Sequence, residues 1–432
     1  MKRRSFLKLP ALVPLIDFGS MFPSDAHHFQ YESVIGTSLD LVVCSPYPSV
    51  AEGACRTVRE EIDRLARILD TRDRASEISL LEGCDGNRET SPELANVLNA
   101  YEFWERRSGG VLSIRPGGAD MPRNVDALGK AYIIDRAAAA ARKAWPSIDA
   151  LLLNVGGDIV GWGRACEIGI ADPDASYDNA RPIAAIELHH AAVATSGTYA
   201  RGAHLIDPHT RKPPTTSVAA TVVAGDAVTA NALATTLCLT SAEIGLELVE
   251  STPGAEALRA ESGVLRRTTG FARLERPVQA QTATPTQWPP GHRVTLTLPL
   301  TAPRSSKRPY VAVWVEDSAD KVVRVLGIWG TKSKYQSSLS TIWDRLHGDF
   351  NRLRSVTRAT RPAGKYDLVW DGMDNDGKPM PLGTYRITIE TSQEHGTYAK
   401  QSGTINVGDK PTSVTLPATT NFDAVVVQYG PA

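Results

Sequence analysis

The sequence predicts two units of different class: an α+β domain over residues 28–275, followed by an all-β sandwich over residues 293–410. Three observations carry this. The first part interleaves helical and strand periodicity without a strict βαβ rhythm. Residues 279–290 are rich in Thr, Gln, Pro and Ala and hold no apolar period, so 276–292 reads as a linker. Beyond it, almost every periodic segment alternates as a strand does. A chain of 432 residues also exceeds what one hydrophobic core usually supports.

Taken in order, residues 38–44 alternate apolar and polar residues, as in a half-buried strand. Val50, Ala54, Val58, Ile62, Leu65 and Leu69 share one helical face, with Arg56, Arg59, Glu60 and Arg64 mostly off it. Ser91 and Pro92 open the next helix as N-cap and first residue. Leu94, Leu98, Tyr101 and Trp104 form its stripe, and Gly109-Gly110 ends it. The Ala-rich run 130–144 predicts a helix opened by Lys130 and stopped before Pro146. Residues 150–155 are a continuous apolar strand ending in Gly156-Gly157. Strands are expected at 167–170, 183–188 and 218–224, and a helix at 228–239. In the second unit strands are expected at 293–298, 310–316, 322–329, 366–370 and 384–390. Asp371-Gly372 and Asp376-Gly377 supply turns. Residues 341–352 predict a helical insertion, and 411–432 a C-terminal tail.

Composition excludes some functions. Net charge is −1, with 22% charged residues, so the basic excess that nucleic-acid backbones require is absent. No apolar run is long enough to span a bilayer. The N-terminus carries Arg3-Arg4, then Phe6-Leu7-Lys8, an apolar stretch to Ile16 and small residues at Ser24-Asp25-Ala26. That order resembles a twin-arginine export signal over residues 1–26 and predicts a periplasmic protein. The five cysteines show no zinc or redox spacing and read as small buried hydrophobes.

Several short motifs could carry chemistry. Gly156-Gly157-Asp158 follows a strand, where backbone N–H groups can approach a phosphate. Lys130, placed at a helix start, could hold a phosphate with help from the helix dipole. Thr195-Ser196-Gly197 puts two hydroxyls beside a glycine, in a turn that can bind an oxyanion or simply cap a helix. His204 could take a proton from an acceptor hydroxyl.

Four stretches occur in a fixed order: Gly129-Lys130-Ala131-Tyr132-Ile133-Ile134-Asp135, Asn154-Val155-Gly156-Gly157-Asp158, Thr195-Ser196-Gly197-Thr198-Tyr199 and His204-Leu205-Ile206-Asp207-Pro208. Together they resemble the ApbE family, whose members use Mg2+ and FAD to attach FMN to a Thr or Ser of another protein. The resemblance implies a two-lobed α/β fold. It implies FAD contacts at Lys130, Asn124, Gly156, Gly157, Asp158, Thr195, Ser196 and Gly197. His204 and Asp207 would handle the acceptor proton. The implied metal ligands are the Ala127 carbonyl, Asn231 and Thr235, in the segment Ala230-Asn231-Ala232-Leu233-Ala234-Thr235. Here the chain departs from the pattern: Asn231 replaces a metal-binding Asp, and Asn124 an Asp that contacts flavin. Ile35, Glu82 and Ser113 depart as well. Three functions follow as expectations: a flavin transferase, a flavin binder with a degenerate metal site, or an interaction scaffold.

The second unit has a resemblance too. It rests on residues 308–316, Trp370-Asp371-Gly372, Gly383-Thr384-Tyr385 and Glu394-His395-Gly396-Thr397-Tyr398. These resemble an uncharacterised exported module of immunoglobulin-like fold found beside ApbE-type proteins. The implied partner is an acceptor flavoprotein or an electron-transfer protein. No Asp-x-x-x-Gly-Ala-Ser/Thr acceptor motif occurs in the chain, so self-flavinylation is not expected.

Overall fold

The structure is a computed structural model that describes residues 25–82, 89–116, 118, 120–175, 180, 182–198, 205–206, 210, 212, 218–276, 288–302, 308–330, 336–346, 357–358, 360–394 and 396–431. In the first unit a hairpin, β1 (Ala26–Val34) and β2 (Thr37–Cys44), leads into four helices. These are α1 (Pro48–Leu69), α2 (Glu77–Glu82), α3 (Pro92–Arg107) and α4 (Asp126–Ala144). There follow β3 (Ala150–Val155), β4 (Asp158–Trp162), β5 (Cys166–Ile170), β6 (Ala184–Leu188), β7 (Ala191–Gly197) and β8 (Val218–Ala224). The unit closes with α5 (Ala227–Leu239), α6 (Ala242–Glu250), β9 (Glu256–Glu261), β10 (Val264–Arg267) and β11 (Glu275–Arg276).

An eight-stranded antiparallel sheet, ordered β1-β2-β3-β4-β7-β8-β9-β10, forms the centre. Both faces are covered, which is why β3 is apolar throughout. Leu151, Leu153 and Val155 face the helices. Ala150 and Leu152 face the small sheet β11-β6-β5. The α1 stripe is buried as its periodicity predicts, from Ala54 through Val58, Ile62 and Leu65 to Leu69. Ser91 caps α3, its hydroxyl accepting from the Leu94 N–H at 3.3 Å.

Helix α4 corrects the sequence expectation. It starts at Asp126 rather than at Lys130, so Lys130 lies in the second turn. The Asn124 side chain accepts from the Asp126 N–H at 2.9 Å and so starts the helix earlier. The dipole contribution proposed for Lys130 is correspondingly smaller, because it falls off within the first turn.

In the second unit, β16 (Gly364–Trp370), β12 (His292–Leu300), β20 (Val425–Pro431) and β19 (Thr412–Leu416) form one sheet. The other comprises β15 (Thr357–Arg358), β14 (Val322–Trp329), β13 (Tyr310–Glu316), β17 (Gly383–Ser392) and β18 (Tyr398–Val407). They sandwich a core that includes Val294, Leu296, Val313, Trp329, Trp370 and Tyr429. Strand β13 is buried along its whole length. Val311, Val313 and Val315 face the sandwich core. Tyr310, Ala312 and Trp314 face a second cluster with Leu339 and Ile342. Ile342 belongs to α7 (Ser340–Arg345), a shorter helix than the expected 341–352, whose last residues lie outside those described.

Two expectations change here. Residues 411–432 are not a tail: β19 and β20 pair with each other, and β20 pairs with β12. Val425, Val427 and Tyr429 point into the core, while Val426 and Gln428 point out. Trp288, within the predicted linker, is only 3% exposed. It packs edge-on against Trp370 at 4.9 Å and Tyr429 at 5.3 Å. Cys44, Cys55, Cys166 and Cys238 are free and buried, with burial pushing the Cys166 and Cys238 thiols up to about 12.

Candidate functional site

Alternation along β4 decides the geometry. Ile159 points to the small-sheet side, so Asp158 and Val160 point to the helices. The Asp158 carboxylate is therefore buried, with its side chain 3% exposed. A buried carboxylate requires partners. It meets the Lys130 ammonium of α4, Nζ to Oδ2 2.9 Å, and the Asn231 amide of α5, Nδ2 to Oδ2 3.0 Å. Lys130, Asp158 and Asn231, far apart in sequence, thus form one bonded cluster.

The turn that presents Asp158 is set by glycines. Gly156 and Gly157 have φ of 60° and 97°, the left-handed region. A Cβ on Gly156 would also lie 2.5 Å from the Thr37 hydroxyl. The Asn154 side chain accepts from the Gly157 N–H at 3.1 Å and pins the turn. Its own Nδ2 is buried without a partner.

Helix α5 places Asn231 and Thr235 one turn apart on the same face. The Thr235 hydroxyl meets Ser196 Oγ at 3.3 Å. Ser196 shares its side of β7 with Ala192 and Ala194, which pack toward the helices. Thr195 shares the other side with Val193 and bonds Thr221 Oγ1 at 2.9 Å. The segment Thr195-Ser196-Gly197 is thus strand, not the turn expected, and period-2 alternation sends its two hydroxyls to opposite faces. Ser196 joins the Thr235 side; Thr195 does not.

Asp135 ties the two helices together. Its carboxylate accepts from the Ala227 N–H at 3.0 Å and the Val228 N–H at 3.3 Å, at the start of α5. Burial pushes this carboxyl up to about 7, against the pull of the Ala227 N–H and with help from the neighbouring Asp226 charge. The sequence match included Asp135 but gave it no role; an acidic residue facing the N-terminus of another helix has no local signature. Glu82, noted only as a departure from the family pattern, pairs with Arg123 at 2.9 Å and Arg115 at 3.4 Å. Burial raises its pKa, but the backbone N–H and guanidinium of Arg123 outweigh that and hold it below the usual range. Glu82, Arg123 and Asn124 line a cavity of about 430 Å³ with Thr71, Ile78 and Ser79. Asn124 therefore faces a space of ligand size, whereas Ala127 lies one turn ahead of Lys130 on α4. His204 and Asp207 lie outside the described residues.

The family resemblance implies Mg2+ at Ala127, Asn231 and Thr235. Asn231 Oδ1 is buried without a partner, so one neutral oxygen is available. The Thr235 hydroxyl is engaged by Ser196. The carboxylate at hand, Asp158, is already held by an ammonium and an amide. Among the described residues no group of three His, Cys, Asp or Glu could hold a metal. Mg2+ wants charged oxygens in near-octahedral array and dehydrates reluctantly. These residues do not fit it.

Comparison with known proteins agrees with this architecture. Residues 114–259 match the model of the ApbE family. Residues 291–424 match a model described as a predicted periplasmic protein, DUF2271. No curated protein matches the chain. The ApbE protein of Thermotoga maritima superposes with a TM-score of 0.50 at 20% identity, over 58% of this chain and 99% of that one. The flavin transferase ApbE of Vibrio cholerae gives 0.50 at 18%, over 58% and 100%. At such identities the likeness is one of fold. The chain thus carries a segment matched by the ApbE-family model on a fold like that of ApbE proteins, followed by a segment matched by the DUF2271 model and built as a β-sandwich.

Proposed function

We propose that the first unit binds FAD and acts as an FAD:protein FMN transferase toward a Thr or Ser of an exported partner, an acceptor flavoprotein or electron-transfer protein. The observation that carries the proposal is the part-buried Lys130 ammonium, held by Asp158 beside the Gly156-Gly157 turn. A poorly solvated cation next to a glycine turn suits a pyrophosphate, since charged hydrogen bonds strengthen where water is scarce. In this reading Ser196 and the Gly156-Gly157 turn orient the nucleotide, and Asn124 meets the flavin end in its cavity. The acceptor hydroxyl oxygen bonds to the FMN phosphorus, the bond to the AMP oxygen breaks, and AMP leaves. His204 or Asp207 takes the hydroxyl proton. The family resemblance also carries a Mg2+ requirement; because the donor set does not fit that ion, no step is assigned to it.

A second reading, a flavin binder that no longer transfers FMN, is favoured by the neutral Asn231. We place the boundary between the units within 277–287, and the protein in the periplasm through a twin-arginine signal. The description of the DUF2271 segment supports export. The test is a fluorescence titration of the full chain with FAD, followed by chromatography for released AMP. Saturable binding with slow AMP release is expected, and Lys130→Ala should weaken FAD binding about tenfold or more. Binding without AMP at any time selects the second reading. No binding leaves only a scaffold.

A further inference from the structure

We infer that this site takes its nucleotide pyrophosphate without a divalent cation, the Lys130 ammonium braced by Asp158 supplying the positive charge. The inference rests on the flavin reading above and concerns how that ligand is held.

Asn231 is 6% exposed, and its amide orientation is fixed by charge. Nδ2 donates to Asp158 at 3.0 Å; the flipped amide would set its oxygen against the carboxylate. The amide oxygen is then left buried and without a partner, turned away from Asp158. An amide bond of this kind holds the carboxylate on Lys130 and adds no charge of its own. Lys130 balances the Asp158 charge, so the pair itself presents an incoming pyrophosphate with an ammonium and no net negative charge. A carboxylate at position 231 would change this. Asp158 and the new carboxylate would share one ammonium, leaving one acid unbalanced, and a metal would become necessary. The neutral residue therefore fits a site in which a fixed ammonium replaces a mobile ion. Lys130 is suited to the task because its position is set by a 2.9 Å ion pair. Its side chain is only 15% exposed, so it has less hydration to shed than Mg2+, which dehydrates reluctantly.

The experiment is titration of the purified full chain with FAD, read by flavin fluorescence. One buffer is metal-stripped and contains EDTA; the other contains millimolar Mg2+. Wild-type affinity should agree between the two within about fivefold. Asn231→Asp should bind FAD about tenfold or more weakly in EDTA and recover in Mg2+, because the added charge repels the pyrophosphate until an ion offsets it. Tightening of the wild type by Mg2+ beyond fivefold overturns the inference while leaving the flavin reading intact. Absence of FAD binding in both buffers overturns both. The wild-type comparison decides the matter even if Asn231→Asp fails to fold.

Discussion

Replacing Lys130 by Met would leave the Asp158 carboxylate, 3% exposed, held by the Asn231 amide without its ammonium. Breaking a buried pair by removing one member costs about 3–5 kcal/mol, because the other charge stays buried. Lys130 is itself 15% exposed, which puts the expected loss near the lower end, about 3 kcal/mol. In a unit of this size that corresponds to a Tm lower by roughly 6–12 °C. The loss should depend on pH. Without its cation the buried carboxylate is disfavoured against its neutral form, so protonation relieves the cost. Stability from such a group is fully present below the unfolded pKa and is lost as pH rises through the folded one. The defect should therefore be large at neutral pH and shrink toward pH 4–5. Thermal unfolding followed by circular dichroism, with amide exchange of β4 and α4 peptides to locate the transition, reads the effect. The double variant Lys130→Met/Asp158→Asn should recover at least half of it. Equal stability of Lys130→Met and wild type at both pH values, or single losses that simply add, would refute a coupled buried pair.

Two further outcomes are expected. Asp135 has a carboxyl at about 7, so the wild type should lose stability as pH rises from about 4 through 7, by roughly 4 kcal/mol at about 1.4 kcal/mol per pKa unit. Asp135→Asn keeps an acceptor for the Ala227 N–H and should flatten that slope; an unchanged slope in urea unfolding across this range would assign it to another group. In the sandwich, Glu390 is fully buried and accepts from the N–H groups of Thr341 and Ile342 and from the Tyr398 hydroxyl. Glu390→Ala should release α7 at a cost of about 1.5–4.5 kcal/mol, at about 0.5–1.5 kcal/mol for each of the three hydrogen bonds. Hydrogen exchange at Thr341 and Ile342 should then accelerate while β12 and β16 stay protected; unchanged exchange would show that Leu339 and Ile342 hold the helix by packing alone.

The sequence by itself determined the elements whose order is local. The α1 stripe, the Ser91 cap, the apolar β3 and the strands of the sandwich follow from periodicity and capping chemistry within a few residues of each other. It also named Lys130, Asp158 and Asn231, through short motifs. What it could not give is which side each one faces and what it meets there. Asp158 bonds Lys130 and Asn231 because β4 turns that side chain toward the helices, and because α4 and α5 pack on the same face of the sheet. The same alternation separates Thr195 from Ser196, which sequence proximity had joined. Strands β19 and β20 were read as a tail because their short alternation gains meaning only against β12, more than a hundred residues earlier. Asp135 was a matched letter until the N-terminus of α5 arrived beside it. Local pattern decides helix or strand because its physics acts over a few residues. The protonation of a buried acid, the partner of a lysine and the charge of a site depend on groups that only the folded chain brings within a few ångströms.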